Sequence, residues 1–194
     1  MSTNLEIEFK NMLDESEYQE LLKCFSIQEE QIWTQKNVYF DTPSFDLKKN
    51  QAALRVRIKN NTYELTLKTK AEVGLFETHQ LITKADYKTL KHDCQLVKGP
   101  VYETLINLGI DVNQLRVITD LTTKRAEVPY ENGLLVLDKS FYGEVIDFEL
   151  EYEVNDYNEG LNAFHELLNK HHIPKRPAEN KIKRATMAAL SKKS

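Results

Sequence analysis

Residues 144–154 read EVIDFELEYEV, and they alternate along their whole length: Ile146, Phe148, Leu150 and Tyr152 fall in one phase, Asp147, Glu149, Glu151 and Glu153 in the other. A period of two is the signature of a strand with one apolar and one polar face. Carboxylates two residues apart on such a strand sit only about 6.5–7 Å from one another, and like charges so placed repel. A face that is acidic throughout is most easily understood if a cation lies against it.

The same sorting by sign recurs elsewhere in the chain. Glu6-x-Glu8-x-Lys10 lies opposite Leu5, Ile7 and Phe9, and Arg55-x-Arg57 lies opposite Leu54, Val56 and Ile58. Guanidinium groups two residues apart suit a polyanion, because each presents a planar fork of donors to phosphate oxygens.

Strand-like alternation predicts eight strands, over Asn4–Lys10, Ile32–Asp41, Ala53–Lys59, Thr62–Thr69, Leu75–Thr83, Arg116–Val128, Leu134–Asp138 and Glu144–Val154. Asn60-Asn61, Asn132-Gly133 and Phe141-Tyr142-Gly143 read as tight turns, so neighbouring strands are expected to be antiparallel. Helical spacing predicts helices over Asp14–Phe25, Ala85–Cys94, Val101–Leu108, Gly160–His171 and Glu179–Leu190. The apolar strand faces need cover, and these helices supply it. The charged faces then meet solvent on an open sheet or meet one another inside a barrel, and closure removes the exposed edges. A barrel lined with such ions cannot be a dry core, since each ion costs several kcal/mol to remove from water.

The chain has 194 residues, 41% hydrophobic and 29% charged, with a formal net charge of −4. The reading is one α+β domain over residues 1–194, an eight-stranded antiparallel closed barrel with flanking helices. The acidic balance excludes a broad nucleic-acid or anionic-membrane surface. There is no leader-like N-terminus and no run of about 18 apolar residues, so a cytoplasmic protein is expected. Cys24 and Cys94 read as reduced packing residues. The five histidines lack metal-ligand spacing and read as structural or solvated.

Taken in order, Glu6-Ile7-Glu8-Phe9-Lys10, Tyr39-Phe40-Asp41-Thr42, Leu54-Arg55-Val56-Arg57, Leu65-Thr66-Leu67-Lys68, Glu77, Arg125, Asp138, Glu149-Leu150-Glu151, Lys181 and Arg184 resemble the motifs of the CYTH superfamily, the triphosphate tunnel metalloenzymes, in their small bacterial single-domain form. The resemblance implies a tunnel that holds a triphosphate with Mg²⁺ or Mn²⁺. It implies Glu6, Glu8, Asp138, Glu149 and Glu151 as metal ligands, with Glu153 at the tunnel rim or replacing one of them. It implies Lys10, Arg55, Arg57, Glu77, Arg125, Lys181 and Arg184 as substrate-binding residues, and Lys68, coupled to Tyr39, as the hydrolytic pair. Lys124 beside Arg125, and Lys183 beside Arg184, are alternative cations. A bulge is expected near Arg125, because Leu121 shares its phase, and the strand of Glu77 lacks a basic residue that the family often carries there.

The implied activity is metal-dependent hydrolysis of inorganic triphosphate or another triphosphate-bearing compound, with a small triphosphate-containing substrate as partner and neither nucleic acid nor membrane, the oligomeric state being left open. An adenylate cyclase with the same grip, and a non-catalytic polyphosphate- or nucleotide-binding module, are the alternatives.

Overall fold

The computed structural model describes residues 2–191. Its strands are β1 (Ser2–Leu13), β2 (Trp33–Asp41), β3 (Ala53–Lys59), β4 (Thr62–Lys70), β5 (Leu75–Ile82), β6 (Arg116–Tyr130), β7 (Gly133–Tyr142) and β8 (Val145–Val154). The helices are α1 (Glu15–Cys24), α2 (Asp46–Lys49), α3 (Lys84–Asp93), α4 (Pro100–Asn107), α5 (Tyr157–Lys170) and α6 (Lys181–Ser191). The strands form a closed barrel in the order β1-β5-β4-β3-β2-β6-β7-β8. The first and last strands are therefore neighbours, with Ile7 opposite Val154 and Leu13 opposite Phe148.

The chain divides into two compact units. One joins the start of β1, through Leu5, to Gln35–Asp120; the other joins Glu6–Thr34 to the chain from Leu121 onward. In the first, the apolar faces of β2, β3 and β4 (Val38, Phe40, Leu54, Val56, Leu65, Leu67) pack on Leu90 of α3 and on Val101 and Leu105 of α4. In the second, Leu135, Leu137, Phe148, Leu150 and Tyr152 pack on Tyr18 and Leu21 of α1 and on Phe164, Leu167 and Leu168 of α5. Each core thus lies between a sheet and its helices, and the opposite, polar strand face is left for chemistry. The helices begin where capping chemistry dictates: Asp14 and Glu17 close a reciprocal box at α1, as do Thr83 and Asp86 at α3.

Turns follow the register. Asn60 and Asn61 both have positive φ and link Lys59 to Thr62, the two-residue loop expected. The other two hairpins turn one residue away from their expected places, at Glu131-Asn132 and at Gly143-Glu144. Gly133 already pairs with Tyr130, and a Cβ on it would lie 2.5 Å from the Glu153 carbonyl oxygen. It is a glycine for close approach of β8, and the turn precedes it. Gly160 plays the same part in α5, where a Cβ would meet Val154 at 2.5 Å. No bulge interrupts β6 beside Arg125, because the pairing runs unbroken from Thr122 opposite Phe141 to Tyr130 opposite Gly133. Leu121 shares the phase of Arg125 and is itself buried. β7 is also longer than its alternation suggested, since Lys139-Ser140-Phe141-Tyr142 continue its ladder.

Candidate active site

In the unit built around β1, β7 and β8, side chains of the polar strand face assemble by register. Glu8 stands opposite Glu153, Lys10 opposite Glu151, and Glu149 opposite Asp138, which in turn stands opposite Arg125. Carboxylate oxygens of Glu6, Glu8 and Glu153 lie within 4.8 Å of one another, all three residues half-buried. Burial, the Glu151 charge and then Glu6 and Glu8 push the Glu153 carboxyl up to about 7, against the pull of Arg125. Three oxygens at mutual separations of this size, on three hard ligands, suit a small divalent cation that keeps part of its water. Lys10 lies at one side of the trio, with Nζ 2.8 Å from Glu8 and 3.5 Å from Glu151.

The remaining acids of this face hold cations instead. Lys181 Nζ lies 2.8 Å from Asp138, 3.1 Å from Glu149 and 2.6 Å from Glu151. Arg125 donates to both oxygens of Asp138, at 2.8 and 2.6 Å, and to Glu151 at 2.8 Å. Arg184 bridges Asp147 and Glu149, and Tyr142 donates to the same Asp147. Asp138 and Glu149 are wholly buried. Burial opposes every one of these charges, and the outcome depends on the neighbours. Lys181, Lys10 and Arg125 hold Glu151 well below the usual carboxylate range, and Arg125 and Lys181 lower Asp138. Glu149 goes the other way and is raised, because burial and the adjacent Glu151 outweigh its cations. Its Oε1 is buried with no hydrogen-bond partner among the described residues, an acceptor still open to a donor or an ion.

Lys181 and Arg184 are the first and fourth residues of α6. Cations there face the positive end of the helix dipole, which is unfavourable for an isolated helix. The Asp138–Glu149–Glu151 cluster compensates, so this helix end is stabilised by the acids it covers.

The second unit presents its own cluster on the polar faces of β3, β4 and β5. Arg55 stands opposite Thr66 and Tyr39, Arg57 opposite Glu64 and Asn37, and Lys68 opposite Glu77. Lys68 Nζ lies 2.8 Å from Glu77 Oε1, and Arg55 lies 3.7 Å from the same oxygen. Burial resists the Glu77 charge, but Lys68 and Arg55 overcome it and hold this carboxyl at about 2. Arg57 donates to Asn37 at 3.1 Å. Tyr39 is buried beside them in register. Two guanidinium groups and an ammonium on adjacent strands, with Glu77 and Glu64 set among them, form a seat for phosphoryl oxygens.

A family profile for the CYTH domain matches residues 4–186. The chain belongs to the CYTH family. A CYTH relative, YjbK of Bacillus subtilis (strain 168), named as a candidate triphosphatase, is 44% identical over 184 residues, 95% of each chain. A Bacillus halodurans crystal structure, described as a candidate adenylate cyclase, superposes with a TM-score of 0.91 at 36% identity, covering 95% of this chain and 98% of that one. The Hippeastrum protein HpAC1, a candidate adenylyl cyclase described as having a dominant triphosphatase activity, has a TM-score of 0.77 at 21% identity, covering 95% and 96%, and shares the CYTH fold.

Within this CYTH chain, the residues that the resemblance implied fall into the two clusters just described. Glu6 and Glu8 stand with Glu153, while Asp138, Glu149 and Glu151 stand with Lys181, Arg125 and Arg184. Sequence reasoning placed Glu153 at the rim or in place of one of the ligands, read His79 as structural or solvated, and gave no site role to Glu64 or, beyond its acidic face, to Asp147. Glu153 was legible in principle, because it shares the phase of Glu149 and Glu151 and pairs with Glu8 once β1 and β8 are neighbours. His79 shares the phase of Glu77 and could have been found the same way. Among the described residues, no helix is long and apolar enough to cross a membrane.

Proposed function

We propose that this chain is a Mg²⁺- or Mn²⁺-dependent triphosphatase acting on inorganic triphosphate or another short triphosphate-bearing compound in the cytoplasm. The observation that carries the reading is the separation of charge: a carboxylate trio, Glu6, Glu8 and Glu153, on one set of strands, and an Arg55–Arg57–Lys68 group on another. A binder of polyanions needs the second group and gains nothing from the first, whereas a metal–triphosphate complex needs both.

In this reading Glu6, Glu8 and Glu153 hold the ion, with the open Glu149 oxygen and Asp138 and Glu151 behind them. Bound there, the ion neutralises phosphate charge and makes the terminal phosphorus more electrophilic. Arg55 and Arg57 would grip non-bridging oxygens, and Lys10, Arg125, Lys181 and Arg184 would supply further cationic donors. Lys68 would orient the attacking water, coupled to Tyr39, which stands opposite Arg55. Water adds to the terminal phosphorus, the bridging P–O bond breaks, and orthophosphate is released from the shortened chain. Positioning and charge neutralisation account for most of such a reaction.

One observation favours a second reading, adenylate cyclisation: the Bacillus halodurans structure described as a candidate adenylate cyclase is 36% identical. Incubation with tripolyphosphate, thiamine triphosphate and ATP, each with Mg²⁺ or Mn²⁺, separates the two. Orthophosphate from tripolyphosphate supports the triphosphatase; cyclic AMP with pyrophosphate from ATP selects the cyclase. Tight binding without any product overturns both in favour of a binding module.

A further inference from the structure

We infer that His79 is a positioning residue for Lys68, acting through Glu77, so that its protonation state sets how firmly the Lys68 ammonium is held away from substrate. The inference deepens the triphosphatase reading and rests on it. His79 lies on β5, two residues beyond Glu77 and on the same face. Its Nδ1 is 3.1 Å from Glu64 Oε1 and its Nε2 is 3.0 Å from Glu77 Oε2. Thr66 Oγ1 lies 3.1 Å from the same Glu64 oxygen and 3.4 Å from His79 Nδ1, so its single proton serves Glu64 when the ring is protonated at Nδ1 and can serve the ring when it is not.

A neutral imidazole has one N–H and one lone pair. Set between two carboxylates, it donates to one and leaves its lone pair on the other side, where the Thr66 hydroxyl at 3.4 Å from Nδ1 can donate to it; only the imidazolium donates to both carboxylates. Glu77 is divided in the same way. Its Oε2 faces His79, while its Oε1 takes Lys68 at 2.8 Å and lies 3.7 Å from Arg55. Lys68, Glu77, His79 and Glu64 therefore form a chain of alternating charge in which each member polarises the next. A charged His79 shares Glu77 with Lys68 and frees the ammonium to turn toward a phosphoryl oxygen or the attacking water. A neutral His79 leaves the whole Glu77 charge to Lys68 and Arg55.

The charged and titratable groups around His79 in this unit are Glu64 and Lys68 from β4, Arg55 from β3, and Glu77 on its own strand. β1, the other neighbour of β5 in the barrel order, carries the charged groups Glu6, Glu8 and Lys10.

The test is kcat/KM for tripolyphosphate at saturating Mg²⁺ across the range where imidazole titrates, for the wild type, His79→Asn and His79→Lys. The wild type loses about tenfold as pH rises through that range, the effect of one charge relayed through a shared carboxylate. His79→Asn lacks this limb and stays at the wild type's high-pH level, while His79→Lys keeps the low-pH level throughout. A purely structural role would shift both variants without removing the limb. The same three proteins are compared for tripolyphosphate affinity without metal, where the same ordering is expected. Identical pH profiles in the wild type and His79→Asn overturn the inference and leave the triphosphatase reading intact. Absence of both turnover and binding overturns that reading, and the inference with it. Should either variant fail to fold, the coupling is read from the other side: Lys68→Met alters the pH response of the His79 ring signals in NMR, and an unaltered response refutes the link.

Discussion

Replacing Glu153 by Gln tests the carboxylate trio directly. In the fold this carboxyl titrates at about 7, raised by burial, by Glu151 and by Glu6 and Glu8; in the unfolded chain it reverts to the ordinary glutamate range near ~4.3. Because the folded value is the higher one, the fold binds the extra proton. The stabilisation this provides is complete below the unfolded pKa and is lost as pH rises toward and through 7. Above pH 7 without metal, the ionised Glu153 therefore weighs against folding by about 4 kcal/mol, and partial exposure trims this to about 2 kcal/mol. Gln removes that charge at little change in volume. In EDTA at pH 8 the variant should be about 2 kcal/mol more stable, a rise of roughly 4–8 °C in Tm, and the gain should vanish near pH 4. Mn²⁺ affinity should move the opposite way and fall by about tenfold or more, since one of three hard anionic ligands is gone. Thermal melts with and without metal, together with calorimetric Mn²⁺ titration, measure both. A variant no more stable than the wild type in EDTA, or one that binds Mn²⁺ as tightly, would refute the convergence of these three side chains on one ion.

Glu6→Gln and Arg57→Ala should each abolish tripolyphosphate turnover with Mg²⁺ while leaving the circular dichroism spectrum intact, the first through the metal and the second through the phosphate grip. Lys181→Met leaves Asp138, Glu149 and Glu151 without the ammonium that all three contact, so in EDTA it should cost about 3 kcal/mol in urea unfolding, the usual penalty for uncompensated buried charge. Glu77→Gln bears on acid stability: Lys68 and Arg55, overcoming burial, hold this carboxyl at about 2, below its unfolded value. The stability it contributes is present above the unfolded pKa and disappears as pH falls from there to about 2. The variant should unfold with a shallower acid limb over that window, and a limb of unchanged steepness counts against the Lys68–Glu77 pair.

Much of the fold was legible because strands with one buried face write their geometry into a period of two. Residues 144–154, Leu5–Lys10 and Leu54–Lys59 each declare an apolar and an ionic side, and all eight strands followed from such runs. The turns at Glu131-Asn132 and Gly143-Glu144 were displaced by one residue because Gly133, a turn residue by type, is used instead to let β8 approach. The short helix α2 left no periodic trace in four residues.

What the sequence determined alone was which side chains share a face, since alternation is a local property of an extended backbone and survives any register. That was enough to set aside the two carboxylate strands and the guanidinium strand as chemically active, and to match them to the CYTH motifs. Which acids meet which cations was decided only by tertiary structure. Glu8 reaches Glu153 because β1 pairs with β8, Lys181 settles on three carboxylates because α6 packs on β7, and His79 falls between Glu64 and Glu77 because β4 and β5 pair in one register. The electrostatic identity of each group depends on distances of about 3 Å between residues far apart in the chain, and no local pattern encodes these.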